Sequence, residues 1–337
     1  MKVSIKQISE ITGFSPATIS NALNYKRGVN KETAARVFAV ARELGYIEEN
    51  RISRVRFVVY KKTGLILDDT PFFPMMMDGA EREARGCGLD MSVTMIDQRV
   101  AGYREQISQI VRDKTTAAIL LGTELSDEDL KPFEQALCPI LVLDYWPSEM
   151  QFDGVLINNA DSARMAVSYL VKKGHREIGY LRGSVRIKAF RSRAVGYQVG
   201  LSKAGLVPEK KYSYTLSTTM DGAYRDMARL LEARVRDKAD LPTAFFADDD
   251  MIAFGAMKAL EEKGYRIPED VSIIGFDDLP YCEIVSPRLT TIRVSKQEMG
   301  AVAVSRLKQI ITNPGTPHLK IQVCTQLIER DSVAARG

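Results

Sequence analysis

Residues 4–46 read SIKQISEITGFSPATISNALNYKRGVNKETAARVFAVARELGY, and their punctuation decides the first domain. Ile5, Ile8 and Ile11 recur at helical spacing, and Gly13 closes that helix with a turn. Ser15 and Pro16 then read as N-cap and first helical position of a second helix carrying Ile19, Ala22 and Leu23. After YKRGVN a third helix opens at Asn30 and runs through Ala34, Val37, Val40, Ala41 and Leu44 to Gly45. Two short helices joined by a glycine turn, with a third to complete a small core, make a helix-turn-helix candidate.

Charge points the same way. The chain has 337 residues and a formal net charge of +4. Residues 1–56 hold ten basic and five acidic side chains, while the other 281 hold 37 and 38. The positive excess is therefore confined to the segment where a polyanion is drawn in. The composition, 45% hydrophobic and 27% charged, excludes a disordered or collagen-like chain. The longest apolar runs are short ones such as PILVL (139–143), so no membrane span is expected. The N-terminus lacks the apolar segment of a secretory signal, so a cytoplasmic location is expected. Cys87, Cys138, Cys282 and Cys324 lie far apart beside apolar stretches and read as reduced thiols. Two histidines, His175 and His318, build no metal-ligand cluster, and neither a metal nor a cofactor is implied.

The pattern from Ser4 to Tyr46 resembles the DNA-binding headpiece of the lactose-repressor (LacI/GalR) family. Carried onto this chain, the resemblance puts Pro16, Ala17 and Asn21 at base-reading positions, and Ser4, Thr18, Ser20 and Asn24 at phosphate-contacting ones. Pro16 and Ala17 have no side-chain hydrogen bond to offer a base edge, which leaves Asn21 as the direct reader.

The linker, residues 47–56, departs from that family. Glu48 and Glu49 stand where Pro and Asn are usual, Ile52 where Ala is, and Val55 where the minor-groove wedge Leu is expected. VRFVVY (55–60) reads as the first strand of the next domain, making GLILDD (64–69) a long loop. The rival register puts the strand at GLIL. Intercalation by Val55 or Ile52 and an operator of altered half-site spacing remain competing readings.

Beyond the linker, strand-like runs alternate with amphipathic helices. A first set runs from FVVY through the helix SDEDLKPFEQAL (126–137) to PILVLDY, and a second repeats the rhythm from GVLIN (154–158) to VSIIGF. Such alternation means parallel sheets covered by helices, in two similar halves, with ligands at the carboxyl ends of the strands. The family resemblance continues through GHREIGYLRG (174–183), RAVGY (193–197), ADDDMIAFGAMKAL (247–260), IPEDVSIIGFDD (267–278), SPRLTTI (286–292) and LIERDS (327–332). It implies an α/β chain: the helix-turn-helix headpiece (1–46), then a two-lobed periplasmic-binding-protein-like domain. One lobe is expected to take 57–157 plus about 288–313, the other 158–287 plus about 318–332.

By the same resemblance Arg193 and Asp250 hold ligand oxygens and hydroxyls, and Asp249 replaces a family Asn beside them. Phe73, Tyr145 and Trp146 are either ring-stacking ligand contacts or packing residues. Asp277 is read as structural as much as functional. No nucleotide-binding loop, nucleophile elbow or histidine base is present, so the chain is not read as an enzyme. The expectation is a homodimeric transcriptional repressor on a double-stranded DNA operator, controlled by a small effector, a sugar in preference to a nucleobase. The alternative is a cytosolic or exported solute-binding protein without operator binding.

Overall fold

The computed structural model describes residues 4–23, 29–44, 46, 52–68, 70–237 and 241–336. The headpiece is three helices, α1 (Ile5–Thr12), α2 (Pro16–Leu23) and α3 (Lys31–Glu43). Gly13 ends α1 at φ 75°, a conformation that costs glycine nothing. Ser15 Oγ accepts from Thr18 N–H at 3.1 Å, capping α2, and Asn30 Oδ1 accepts from Thr33 N–H at 2.7 Å, capping α3. Ile8, Ile19, Ala22, Val37 and Ala41 form the core between them. Ile11, expected on the buried face, is 53% exposed. Thr12 is buried in its place, four residues on from Ile8, and its hydroxyl is satisfied by the Ile8 carbonyl at 2.7 Å.

The first lobe begins earlier than the linker reading allowed. Strand β1 is Arg54–Lys61, so the linker's last three residues belong to the sheet and residues 64–67 form a turn, not a strand. There follow α4 (Phe72–Gly86), β2 (Asp90–Asp97), α5 (Tyr103–Arg112), β3 (Thr116–Leu121), α6 (Asp127–Leu130), β4 (Ile140–Leu143) and β5 (Asp153–Ile157). The helix expected over 126–137 is only α6 and a 3-10 turn, Lys131–Gln135, because Pro132 has no N–H to continue an α-helix. Strand β5, which the strand-helix rhythm groups with the second set but the expected bound of 57–157 keeps in the first lobe, pairs in parallel with β4.

The second lobe comprises α7 (Asn159–Lys172), β6 (Ile178–Gly183), α8 (Lys188–Lys203), β7 (Ser213–Leu216), α9 (Met220–Asp237), β8 (Ala244–Ala247), α10 (Asp250–Glu262) and β9 (Ser272–Ile274). Its sheet runs β7-β6-β8-β9, all parallel. The chain then returns through β10 (Thr291–Arg293), α11 (Lys296–Thr312), β11 (Lys320–Val323) and β12 (Gln326–Ile328). Helix α11 packs on α4 so closely that a Cβ on Gly300 would lie 2.1 Å from the Met76 carbonyl oxygen.

Strand β11 pairs with β5 and completes the first sheet, β11-β5-β4-β3-β1-β2. Residues 320–323, expected in the second lobe, thus lie in the first. The return happens at β12, which pairs antiparallel with β10, Ile292 opposite Leu327. Beyond it the tail joins the second lobe, Ser332 Oγ donating to the Ile273 carbonyl at 2.6 Å. Three crossings (after β5, after β10 and before β12) therefore connect the lobes, and two of them are tied by that short ladder.

Among the described residues no helix is long and apolar enough to cross a membrane. The four cysteines are free, and Cys324, read as lying in apolar surroundings, is exposed. His175 is buried between Thr243 Oγ1 (3.0 Å) and the Ala334 carbonyl (3.1 Å), which makes it a tie between the tail and the second sheet.

Candidate nucleic-acid interface and ligand cleft

Helix α2 turns Ile19 and Ala22 inward, which leaves its other face outward. Pro16 and Ala17 are exposed, and Thr18, Ser20 and Asn21 are half-buried. Ser4, exposed, precedes α1, where its backbone N–H donates to Gln7 Oε1 at 2.9 Å. Six of the seven expected DNA-contacting residues are thus placed at the N-terminal ends or outer face of the first two helices. Asn24 lies outside the described residues, as do Glu48, Glu49 and Arg51.

The linker reading changes most. Val55 is fully buried in β1, opposite Met91 and Ala117, and is unavailable to wedge a base step. Ile52 packs against the same core, and Arg56 pairs with Asp113 at 3.1 Å. Neither intercalation candidate is free to enter a minor groove in this arrangement.

The cleft opens between the lobes at the carboxyl ends of the strands. Thr123 follows β3, Asp144 follows β4, Asp249 follows β8 and Asp277 follows β9, and all four line it. Arg193, on α8, is 3% exposed at its floor. Its Nε donates to Asn159 Oδ1 at 2.8 Å, Nη1 to the Asp248 carbonyl, and Nη2 to Asp277 Oδ1 at 3.4 Å. The guanidinium also lies 3.6 Å from the centre of the Phe276 ring. Phe73 lines the cleft beside Phe72, edge to face at 5.0 Å.

Asp250 does not line the cleft. Its carboxylate points beneath, Oδ1 accepting from Thr291 Oγ1 (2.6 Å) and Oδ2 from Leu279 N–H (2.9 Å) and Cys282 Sγ (3.2 Å). Three donors from the segments that follow β9 make it an anchor for that chain. The cleft-facing residue is its neighbour Asp249, whose Oδ1 also caps α10 through Ile252 N–H at 2.8 Å. Tyr145 and Trp146 also lie elsewhere, on a second opening between the lobes. Tyr145 is buried, its hydroxyl donating to Asp127 Oδ1 at 2.6 Å, and Trp146 packs on Gly154. Both are packing residues here. Asp248 is buried too, accepting from Tyr180, Arg186 and Gly183 N–H.

Reading residues by motif missed Thr123, Asp144, Thr218 and the cleft-facing role of Asp277. A signal was available for all of them: each lies one to three residues beyond the end of a parallel strand. Asp144 and Asp277 also hold positive φ, 61° and 119°, which costs about 1–3 kcal/mol each and tends to collect at working sites. Burial raises Asp144 to about 6, against a hydrogen bond from Thr123 that lowers it. Burial first, then Asp277, lifts Asp249 well above the ordinary carboxylate range.

The lobes are drawn together. The cavity between them is about 40 Å³, whereas sites that engulf a ligand run to about 300–1,000 Å³. Entry of a ring therefore needs the lobes to part. Residues 62–68 reach across from the first lobe, held by Glu124: Oε2 accepts from the N–H groups of Lys62, Thr63 and Gly64, and Oε1 from Ile66 N–H, at 2.6–3.0 Å.

Two family profiles match this architecture. "Bacterial regulatory proteins, lacI family" matches residues 4–49, and "Periplasmic binding protein-like domain" matches residues 167–333. The chain thus carries a lacI-family DNA-binding domain joined to a periplasmic-binding-protein-like domain and is a DNA-binding transcriptional regulator. It is 27% identical over 334 residues to the HTH-type transcriptional repressor PurR of Mannheimia succiniciproducens, covering 98% of each chain. It is 28% identical over 333 residues to the ribose operon repressor of Haemophilus influenzae, again covering 98% of each. Among solved structures, a LacI family transcriptional regulator from Enterococcus faecalis V583 with bound ribose superposes with a TM-score of 0.70. That match is 25% identical and covers 84% of this chain and 100% of that one. The first two of these relatives are named as repressors and the third as a transcriptional regulator, none as an enzyme.

Proposed function

We propose that the protein is a cytoplasmic repressor that binds a pseudo-palindromic double-stranded operator as a homodimer, α2 entering the major groove, and that a small polyol, a sugar in preference to a nucleobase, sets operator affinity from the interlobe cleft. The observation that carries this reading is the joining, in one chain, of an outward helix face of small polar groups to a two-lobed cleft with a buried arginine at its floor. Asn21 reads base edges, and Ser4, Thr18 and Ser20 meet phosphates. One headpiece covers half a site, so the two-fold symmetry of the operator calls for a second copy. Arg193, Asp249 and Asp277 supply donors and acceptors for vicinal hydroxyls, and Phe73 an apolar wall. The effector acts by preferring one lobe arrangement, which changes the separation of the headpieces. The ribose bound to the Enterococcus relative supports the ligand class.

Selection of binding sites from random DNA with the full chain tests it. The expected product is an inverted repeat, and Asn21→Ala should flatten base preference at one position per half-site while weak nonspecific binding persists. Recovery of no enriched sequence would overturn the operator reading.

A further inference from the structure

The cleft holds more carboxyl groups than cations. Among the described residues its walls carry Asp68, Asp144, Asp249 and Asp277 against the single cation Arg193. Asp68 is exposed and paired with Lys61. Arg193 faces Asp277, and its other nitrogens hold Asn159 and a main-chain carbonyl. The cations behind the walls are committed too: Lys296 Nζ sits on the carbonyls of Asp277, Asp278 and Val294, and Arg186 is paired with Asp248. Among the described residues neither Asp144 nor Asp249 has an ion-pair partner within contact distance; Arg193 favours their ionised forms only from further off, and less than burial opposes them. Asp144 is 7% exposed; Thr123 Oγ1 donates to its Oδ2 at 2.7 Å, while Oδ1 is buried without any hydrogen-bond partner. Asp249 is 8% exposed and commits Oδ1 to capping α10.

We infer that the cleft takes a small polyhydroxylated ring bearing a protonated amine, an amino sugar, with its ammonium against Asp144 and Asp249. The inference rests on the proposed assignment of the cleft as the effector site and narrows what fills it. An ammonium brings three donors and no acceptor, which suits acceptor-only carboxylates. A hydroxyl satisfies one lone pair but brings no positive charge to favour the ionised carboxylates in a desolvated site. Phe72, Phe73 and Phe190 line the same space and offer ring faces to the apolar side of a sugar. Burial raises Asp144 to about 6 and lifts Asp249 well above the ordinary carboxylate range, so an entering cation favours the ionised carboxylates and expels protons. Amine affinity accordingly rises with pH where these groups titrate.

The test is calorimetric titration of the full chain with matched sets: glucosamine, galactosamine and mannosamine, their parent hexoses, and their N-acetyl forms, which keep the nitrogen and lose the charge. At least one amine should bind about tenfold tighter than both of its neutral counterparts, and tighten about threefold or more from about pH 5 to about pH 7. Asp249→Asn, which retains a capping oxygen, should erase the preference, bringing the amine down to the affinity of its parent hexose in the same variant. Neutral members binding as tightly as the amines, or no amine binding at all, would overturn the inference. A hexose that binds and shifts operator affinity in that case leaves the proposed function standing. Binding that survives Arg193→Met undiminished would place the ligand outside the cleft, and the proposed function would then fail with it.

Discussion

Thr218 Oγ1 donates to the main-chain carbonyl of Leu65 at 2.8 Å, joining the loop that follows β1 to the loop that follows β7 in the other lobe. The neighbouring Ile66 packs against Ile187 and Phe190 of the second lobe. On the other side of the gap Lys188 Nζ bridges Asp127 Oδ1 and the Trp146 carbonyl, both at 2.9 Å. The Lys188–Asp127 pair is more than a third exposed and contributes little. These ties across the narrow cleft are one neutral hydrogen bond, a small apolar contact and a partly exposed lysine shared between a carboxylate and a carbonyl, which suits a closure that must be reversible.

Thr218→Val should remove a bond worth about 1 kcal/mol and speed amide exchange at residues 65–68 about fivefold. Glu124→Ala, which leaves four backbone N–H groups without their acceptor, should do so by well over tenfold. Equal exchange in both variants and the parent would show that neither residue holds the loop across the gap.

Truncation separates the linker from the sheet. Deleting residues 1–51 should leave a cooperatively folding, DNA-indifferent body, because β1 remains whole from Arg54. Deleting 1–56 removes Val55, fully buried opposite Met91 and Ala117, and should cost about 2–4 kcal/mol more. Denaturant midpoints decide it; identical midpoints would return residues 54–56 to the linker.

Asp144 should make the body less stable as pH rises. Its folded-state value is raised to about 6 from 3.8, so the folded protein binds the proton more tightly than the unfolded chain does. The contribution is favourable below about pH 4 and is lost as pH climbs through about 6, by roughly 3 kcal/mol at most. Asp144→Asn should therefore gain more in melting temperature at about pH 7.5 than at about pH 4.5, and an equal change at both would rule out a raised value.

Arg193 and Asp250 should part company. Arg193→Met leaves Asp277 buried without its partner and should abolish the effector response while costing about 3–5 kcal/mol. Asp250→Asn loosens the Thr291, Leu279 and Cys282 anchors, lowering stability by about 1–3 kcal/mol with near-parental effector affinity. Thermal melts paired with calorimetry distinguish the two, and parallel loss of effector binding would put Asp250 back in the site.

Sequence alone determined the elements whose signals are local. Gly13, Ser15-Pro16 and Asn30 mark helix ends by backbone geometry and capping, and those ends are where the chain folds. Alternating strand and helix patterns specified two parallel sheets, and VRFVVY was legible as a strand because β-branched and aromatic residues fit a pleat buried on both faces. What it left undetermined were choices made by partners distant in the chain. Asp248, Asp249 and Asp250 are consecutive and chemically identical. One is turned toward Arg186 and Tyr180, one into the cleft, one down onto Thr291 and Cys282. Likewise β11 belongs to the first sheet only because the edge of β5 offers it a pairing partner. Periodicity specifies which face of an element is buried; which neighbour buries it, and so which carboxylate meets a ligand, depends on contacts between residues as far apart as Arg193 and Asp277.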